Sequence, residues 1–356
     1  MTAPAPDAVL VGREGSVGRL TLNRPRALHA LTEGMCAIMI QALLAWREDP
    51  AVHLVMIDHA GERGFCAGGD IRMLAQSGQG DGEAARSFFR TEYRLNHLLF
   101  TYPKPVAAFM DGLVMGGGAG VALPCRYRVA TENTVFAMPE TGIGLFPDVG
   151  GGWHLPRLPG ETGLWLALTG ARLKVADCLA LGLASHAVAA ADLPAVKAAI
   201  LARPGAIDAL LAQAALHAGP APLDAHRAAI DAAFSAASVE AILAGLEAGD
   251  DWSRGQAGIL AGKSPQALKV AFRQLRRGRA HDDFAHTLAM EYRIGARLVR
   301  RHDFLQGVRA VILVKDNDPR WSPPSLADVP DTLLDLIFAP LPAGQEWTPL
   351  QPGAFT

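Results

Sequence analysis

Two carboxylates, Glu140 and Asp148, stand eight positions apart in the run Met138-Pro139-Glu140-Thr141-Gly142-Ile143-Gly144-Leu145-Phe146-Pro147-Asp148-Val149-Gly150-Gly151-Gly152. On a helix that spacing would share one face, but Gly142, Gly144 and Pro147 oppose a continuous helix, so a loop must bring the pair together. The apolar neighbours Met138, Ile143, Leu145, Phe146 and Val149 would dehydrate that loop. Burial raises the pKa of a carboxylate and suits it to proton transfer near neutrality. The same residues also allow a plainer reading, in which Glu140 caps a turn and Asp148 caps the helix after Gly152.

Two glycine clusters precede this run: Phe65-Cys66-Ala67-Gly68-Gly69-Asp70 and Met115-Gly116-Gly117-Gly118-Ala119-Gly120. The triple glycine would leave bare backbone N–H groups at a helix N-terminus, where negative charge is favoured, and Gly68-Gly69 offers a second exposed N–H. Two such donors aimed at one oxygen polarise a carbonyl, and losing one typically costs about 10²–10³ in rate. Glycines of this kind also serve merely for tight turns or close packing. Other signals fail. Residues 258–264 imitate a phosphate loop but have three residues between the glycines where four are needed and no preceding strand, so a helix junction is expected. Neither a dinucleotide glycine fingerprint nor a nucleophile elbow occurs, and His154 lacks a metal-type partner and reads as packed or solvated.

These motifs need strands to end where they begin. Runs at 9–11 and 17–22 predict a hairpin with its turn at 12–15; 54–58, 106–110, 127–130 and 135–137 predict further strands. Helices are expected from Thr32 as N-cap to about Arg47, over 83–100, from 152 through 168, and over 175–181. Strands alternating with helices imply a layered α/β core over residues 1–190, a class in which ligands bind at strand ends. Residues 191–356 read as a helical C-terminal region that completes the site. Within it, an Ala- and Leu-rich stretch broken by Pro204, Pro220 and Pro222 precedes helices at 264–277, 282–301 and 328–338, with 303–315 mixed and the tail Pro-rich.

Half of the 356 residues are hydrophobic, enough for a full core, and 33 basic against 35 acidic side chains leave a formal charge of −2. That balance argues against nucleic acid and membrane partners and for a small-molecule substrate. Cys36, Cys66, Cys125 and Cys178 are scattered without disulfide or zinc spacing. With residues 1–7 lacking a secretory pattern and no run of membrane-spanning length, a cytoplasmic location is expected.

The three glycine and carboxylate stretches, in this order and at these separations, resemble the crotonase (enoyl-CoA hydratase/isomerase) superfamily along nearly the whole chain. Together with Leu22-Asn23-Arg24-Pro25, 168–173 and 303–315, they are most similar to its 3-hydroxyisobutyryl-CoA hydrolases. The resemblance implies a spiral of ββα units and hydrolysis of a short branched β-hydroxyacyl-CoA in valine breakdown. It implies no metal and no cofactor beyond the coenzyme A of the substrate. Members often trimerise through C-terminal helices, so a homo-oligomer is implied unless 190–261 covers that surface. Carried onto this chain, the oxyanion donors fall on the N–H groups of Gly69 and Gly117 and the catalytic pair on Glu140 and Asp148. Glu92, Asp70, Ile71 and Gly116 then contact substrate. Glu140 acts as nucleophile or as general base. Hydratases of the superfamily place a first catalytic glutamate where this chain has Gly120, and commonly a glycine where it has Asp148. The remaining alternatives are a hydratase or isomerase acting on another acyl-CoA and a catalytically silent acyl-CoA-binding paralogue.

Overall fold

Leu54, Val55, Met56 and Ile57 are all buried, as a strand covered on both faces requires. They open β3 (Leu54–His59), near the middle of a six-stranded sheet in the computed structural model, which describes residues 7–61 and 64–351. Residues 1–6, which carried most of the expectation about a leader, and 352–356 of the Pro-rich tail lie outside these. The other strands are β1 (Val9–Glu14), β2 (Val17–Leu22), β4 (Val106–Met110), β5 (Leu113–Met115), β6 (Tyr127–Ala130), β7 (Val135–Ala137) and β8 (His186–Ala187). The large sheet runs β1-β2-β3-β4-β6-β8, with β1 antiparallel to β2 and every later pair parallel. The hairpin turn is tighter than expected, because β1 continues to Glu14 and leaves only Gly15, at φ 59°, and Ser16 to reverse the chain.

Helices α1 (Glu33–Glu48), α2 (Ile71–Gly78), α3 (Glu83–Phe100), α4 (Gly117–Ala122), α5 (Gly151–His154), α6 (Thr162–Thr169) and α7 (Val175–Ala180) surround the strands. Thr32 caps α1, its hydroxyl accepting from Met35 N at 3.3 Å. The single helix expected over 152–168 is instead α5, a short turn at Leu155–Arg157, and α6, because Pro156, Pro159 and Gly160 interrupt it. After β8 the chain is helical: α8 (Leu193–Ala202), α9 (Ile207–Gln213), α10 (Arg227–Phe234), α11 (Val239–Glu247), α12 (Asp251–Ala261), α13 (Pro265–Gly278), α14 (Phe284–Leu298), α15 (His302–Val308) and α16 (Asp331–Phe338). The stretch expected to be mixed consists of α15 and a wide turn at Arg309–Leu313.

A small second sheet positions the site. Parallel β5 and β7 align Met115 with Ala137. Isolated bridges join Cys66 to Val114 on one side and Phe136 to Leu173 on the other. Four separate segments therefore lie side by side, and the parallel three, at Cys66, β5 and β7, run out together into the glycine clusters and Glu140.

Candidate active site

The strand exits open onto a cavity of about 390 Å³. Gly68, Gly69, Gly116 and Gly117 form one wall, and Glu92, Glu140 and Asp148 face it. Apolar side chains, including Ile71, Leu74, Phe88 and Leu145, fill much of the remainder, and Lys263, Val311 and Ile312 come from the helical region.

The glycine wall is two loops held edge to edge. Met115 N donates to Cys66 O at 3.0 Å, and Leu31 N to Gly68 O at 2.8 Å. The N–H groups of Gly69 and Gly117 have no partner among the described residues, so both remain free to donate to an oxygen in the cavity. Gly116 sits at φ 47°, ψ −119°, a conformation essentially restricted to glycine. A Cβ there would stand 3.1 Å from Glu140 Oε1, and one on Gly117 would stand 2.5 Å from Glu92 Oε1. The carboxylates press against backbone that carries no side chain.

Glu140 opens a tight turn, Glu140–Ile143, and is only 5% exposed. Its Oε2 has no hydrogen-bond partner, and the turn is closed by backbone, Gly142 N donating to Pro139 O at 2.9 Å. Beyond a bond from its own backbone N–H, the side chain caps nothing. Burial, then the neighbouring Asp148, raise its pKa well above the ordinary carboxylate range, and that N–H and then Lys263 partly oppose this. Glu92, buried on α3, is raised well above that range by burial and by Asp148, and its Oε1 is also unpartnered. Burial raises Asp148 to about 6, against the opposing bond from the Tyr93 hydroxyl to Oδ2 at 2.8 Å. Capping of α5 falls to Glu291, whose carboxylate accepts from Gly150 N at 2.7 Å and Gly152 N at 2.8 Å. That leaves the Asp148 side chain to the cavity and removes the capping reading for both acids.

Position 120 is closed to any side chain. A Cβ on Gly120 would lie 2.5 Å from Val149 Cβ and 2.8 Å from Asn96 Nδ2. Val149 reaches this place from the residue next to Asp148, with its own φ at 53°. The loop that carries Asp148 inward thus occupies the space a glutamate at 120 would need.

Of the residues singled out from sequence, Gly69, Gly116, Gly117, Ile71, Glu92, Glu140 and Asp148 line this one cavity. Asp70 does not. Its carboxylate caps α2, accepting from Met73 N at 3.3 Å, and pairs with Arg24 at 3.4 Å. His154 is packed among Phe100, Trp153 and Phe284, and burial lowers its pKa to about 3. Of the stretch 258–264 expected as a helix junction, 258–261 are the last turn of α12 and only 262–264 join it to α13, where Lys263 points its ammonium at the site, 3.2 Å from where a Gly142 Cβ would be. Sequence reasoning missed Tyr93, Lys263 and Glu291. Tyr93 adjoins Glu92 and Lys263 precedes the Ser264 cap of α13, but nothing local marks Glu291. Among the described residues, no group of three or more His, Cys, Asp or Glu side chains is arranged to hold a metal ion, and no helix is long and apolar enough to cross a membrane.

The profile of the family described as enoyl-CoA hydratase/isomerase matches residues 17–338. The mitochondrial 3-hydroxyisobutyryl-CoA hydrolase of Xenopus tropicalis is 43% identical over 342 residues, 93% of this chain and 89% of that protein. Its namesake in Danio rerio is 43% identical over 351 residues, covering 96% of this chain and 92% of that one. Among solved structures, a carnitinyl-CoA dehydratase from Mycobacterium thermoresistibile superposes with a TM-score of 0.92 at 41% identity, over 96% of this chain and 98% of that one. The relatives' mitochondrial assignment overturns the expected cytoplasmic location. Unpaired cysteines indicate a reducing compartment, which a mitochondrial matrix provides as well as a cytosol, so they do not distinguish the two. Profile, relatives and superposition agree: the chain belongs to the enoyl-CoA hydratase/isomerase family and has its crotonase fold.

Proposed function

We propose that the chain hydrolyses a short branched β-hydroxyacyl-CoA thioester, 3-hydroxyisobutyryl-CoA foremost, to 3-hydroxyisobutyrate and coenzyme A, a step of valine degradation. The observation that carries this reading is the pairing of Glu140 with Asp148 on one cavity beside the free N–H groups of Gly69 and Gly117, while Val149 and Asn96 close position 120. The names of the Xenopus and Danio relatives supply the acyl group.

In this mechanism the thioester oxygen lies between the Gly69 and Gly117 N–H groups, an oxyanion hole for the charge that develops when the carbonyl is attacked. Glu140 attacks to give an acyl anhydride that water then opens, or it takes the proton of an attacking water. The C–S bond breaks and the sulfur leaves as thiolate. Asp148, held by Tyr93, orients the substrate hydroxyl or the water, or returns a proton to that sulfur. Glu92, Gly116 and Ile71 contact the bound substrate, and residues 191–356 complete the pocket through Lys263, Val311 and Ile312. The thioester is already activated, so this chemistry asks for neither metal nor redox cofactor.

A panel of acyl-CoA thioesters scored by release of free thiol tests the reading. The β-hydroxyacyl members release coenzyme A, and Glu140→Gln lowers kcat by about 10²–10⁴-fold, the usual worth of a general base. Loss of enoyl absorbance with the thioester intact would make the protein a lyase instead. Thermal stabilisation by acyl-CoA without turnover would make it a binding protein.

A further inference from the structure

The loop that presents Asp148 is fastened from outside the core. Pro147 O accepts from Gln274 Nε2 at 2.6 Å, and Gly150 N and Gly152 N donate to the two oxygens of Glu291. Gln274 Nε2 also lies 2.9 Å from Glu291 Oε1, which ties the two clamping side chains together. Both are fully buried, on α13 and α14 respectively, and a Cβ on Gly152 would stand 3.0 Å from each. The residue after Glu291 joins in, because Tyr292 packs edge-on against Tyr93, the donor to Asp148, with ring centroids 6.5 Å apart.

A fully buried carboxylate is more than α5 requires. That helix has four residues, and a serine or asparagine in the loop would cap it without burying an acid whose pKa burial raises to about 8. What does need strong fixing is Val149, a β-branched residue in the left-handed region between two pinned neighbours. Its conformation turns the preceding Asp148 toward Tyr93 and the cavity while its own side chain fills the space beside Gly120.

From this geometry we infer that Glu291 and Gln274 are positioning residues of the reaction: they hold the 147–152 backbone so that the Asp148 carboxylate meets the substrate. The inference rests on the reading that Asp148 takes part in the chemistry, and a mutant cycle separates the two. In the full-length protein, thiol release is measured for Glu291→Gln, Gln274→Met, Asp148→Asn and the Asp148→Asn/Glu291→Gln double variant. A misplaced reacting group costs about 10²-fold, so Glu291→Gln should lower kcat by about that factor while KM stays nearly constant. In the Asp148→Asn background the same change should cost nothing further, because the group it positions is already gone. An equal loss in both backgrounds, or a lowered Tm with kcat intact, overturns the inference. Full activity in Asp148→Asn sinks the reading of Asp148. Loss there with full activity in both clamp variants sinks the clamp alone. Should Glu291→Gln fail to fold, Gln274→Met carries the same cycle, and failure of both to fold makes the pair a folding device and rejects the proposal.

Discussion

Glu140 must be ionised to attack or to take a proton, and its surroundings resist that charge. Burial and the nearby Asp148 favour its neutral form, and Lys263 is the cation that opposes them. A carboxylate with a raised pKa is a stronger base once ionised, so the resistance is useful at neutral pH. It also fixes the sign of the pH dependence. Activity falls as pH drops through the Glu140 pKa, and the acid limb of kcat/KM lies above the ordinary carboxylate range. Replacing Lys263 by Met removes the opposing charge and raises that pKa further. We expect the acid limb of Lys263→Met to move to higher pH, with the loss greatest on the acid side of the wild-type limb and vanishing on its alkaline side. A limb that stays in place, or moves down, shows that the Lys263 ammonium does not act on Glu140.

At the scale of elements, the small sheet converts three distant motifs into one site. Its bridges place Gly68-Gly69 and Gly116-Gly117 beside each other and Glu140 at their edge. Gly116→Ala tests this construction, since alanine must adopt φ 47° and lodge a methyl 3.1 Å from Glu140 Oε1. The expected result is a stability loss of about 1–3 kcal/mol by urea titration, from the backbone strain, and a fall in kcat of about 10²-fold from the displaced acid. Wild-type kcat in a folded Gly116→Ala would mean the wall tolerates side chains. Several elements of this layout were legible in the sequence: 83–100, 106–110, 127–130 and 135–137 have the expected bounds, because apolar runs and the turn residues around them mark them locally. β5 and β8 were not, being defined by pairing with their neighbours rather than by a local pattern. The same division holds within the site. Glu140, Asp148 and the glycines carry local signatures. Asp70 looked like a ligand residue and is a helix cap, and Glu291 is joined to its loop only through a contact 139 positions away.

For the whole molecule, the site is a standing cost to folding. Glu92 and Glu140 lie in one buried cavity with pKa values held well above that of an unfolded glutamate, about 4.3. Below that pH both states hold the proton and nothing is lost. As pH rises, the unfolded chain releases its proton first, and the native state is progressively disfavoured until the folded group also ionises. Glu140→Gln keeps the shape and removes the titration, so the inactive variant should be the more stable protein at neutral pH. Scanning calorimetry at about pH 8 is expected to show a gain in Tm, at roughly 1–2 °C for each kcal/mol in a chain of 356 residues. The gain should shrink to nothing near pH 4, where wild type and variant are both uncharged at this position. A gain that persists at pH 4 would trace to packing instead of charge, and no gain at pH 8 would mean that the Glu140 carboxylate ionises in the fold without penalty.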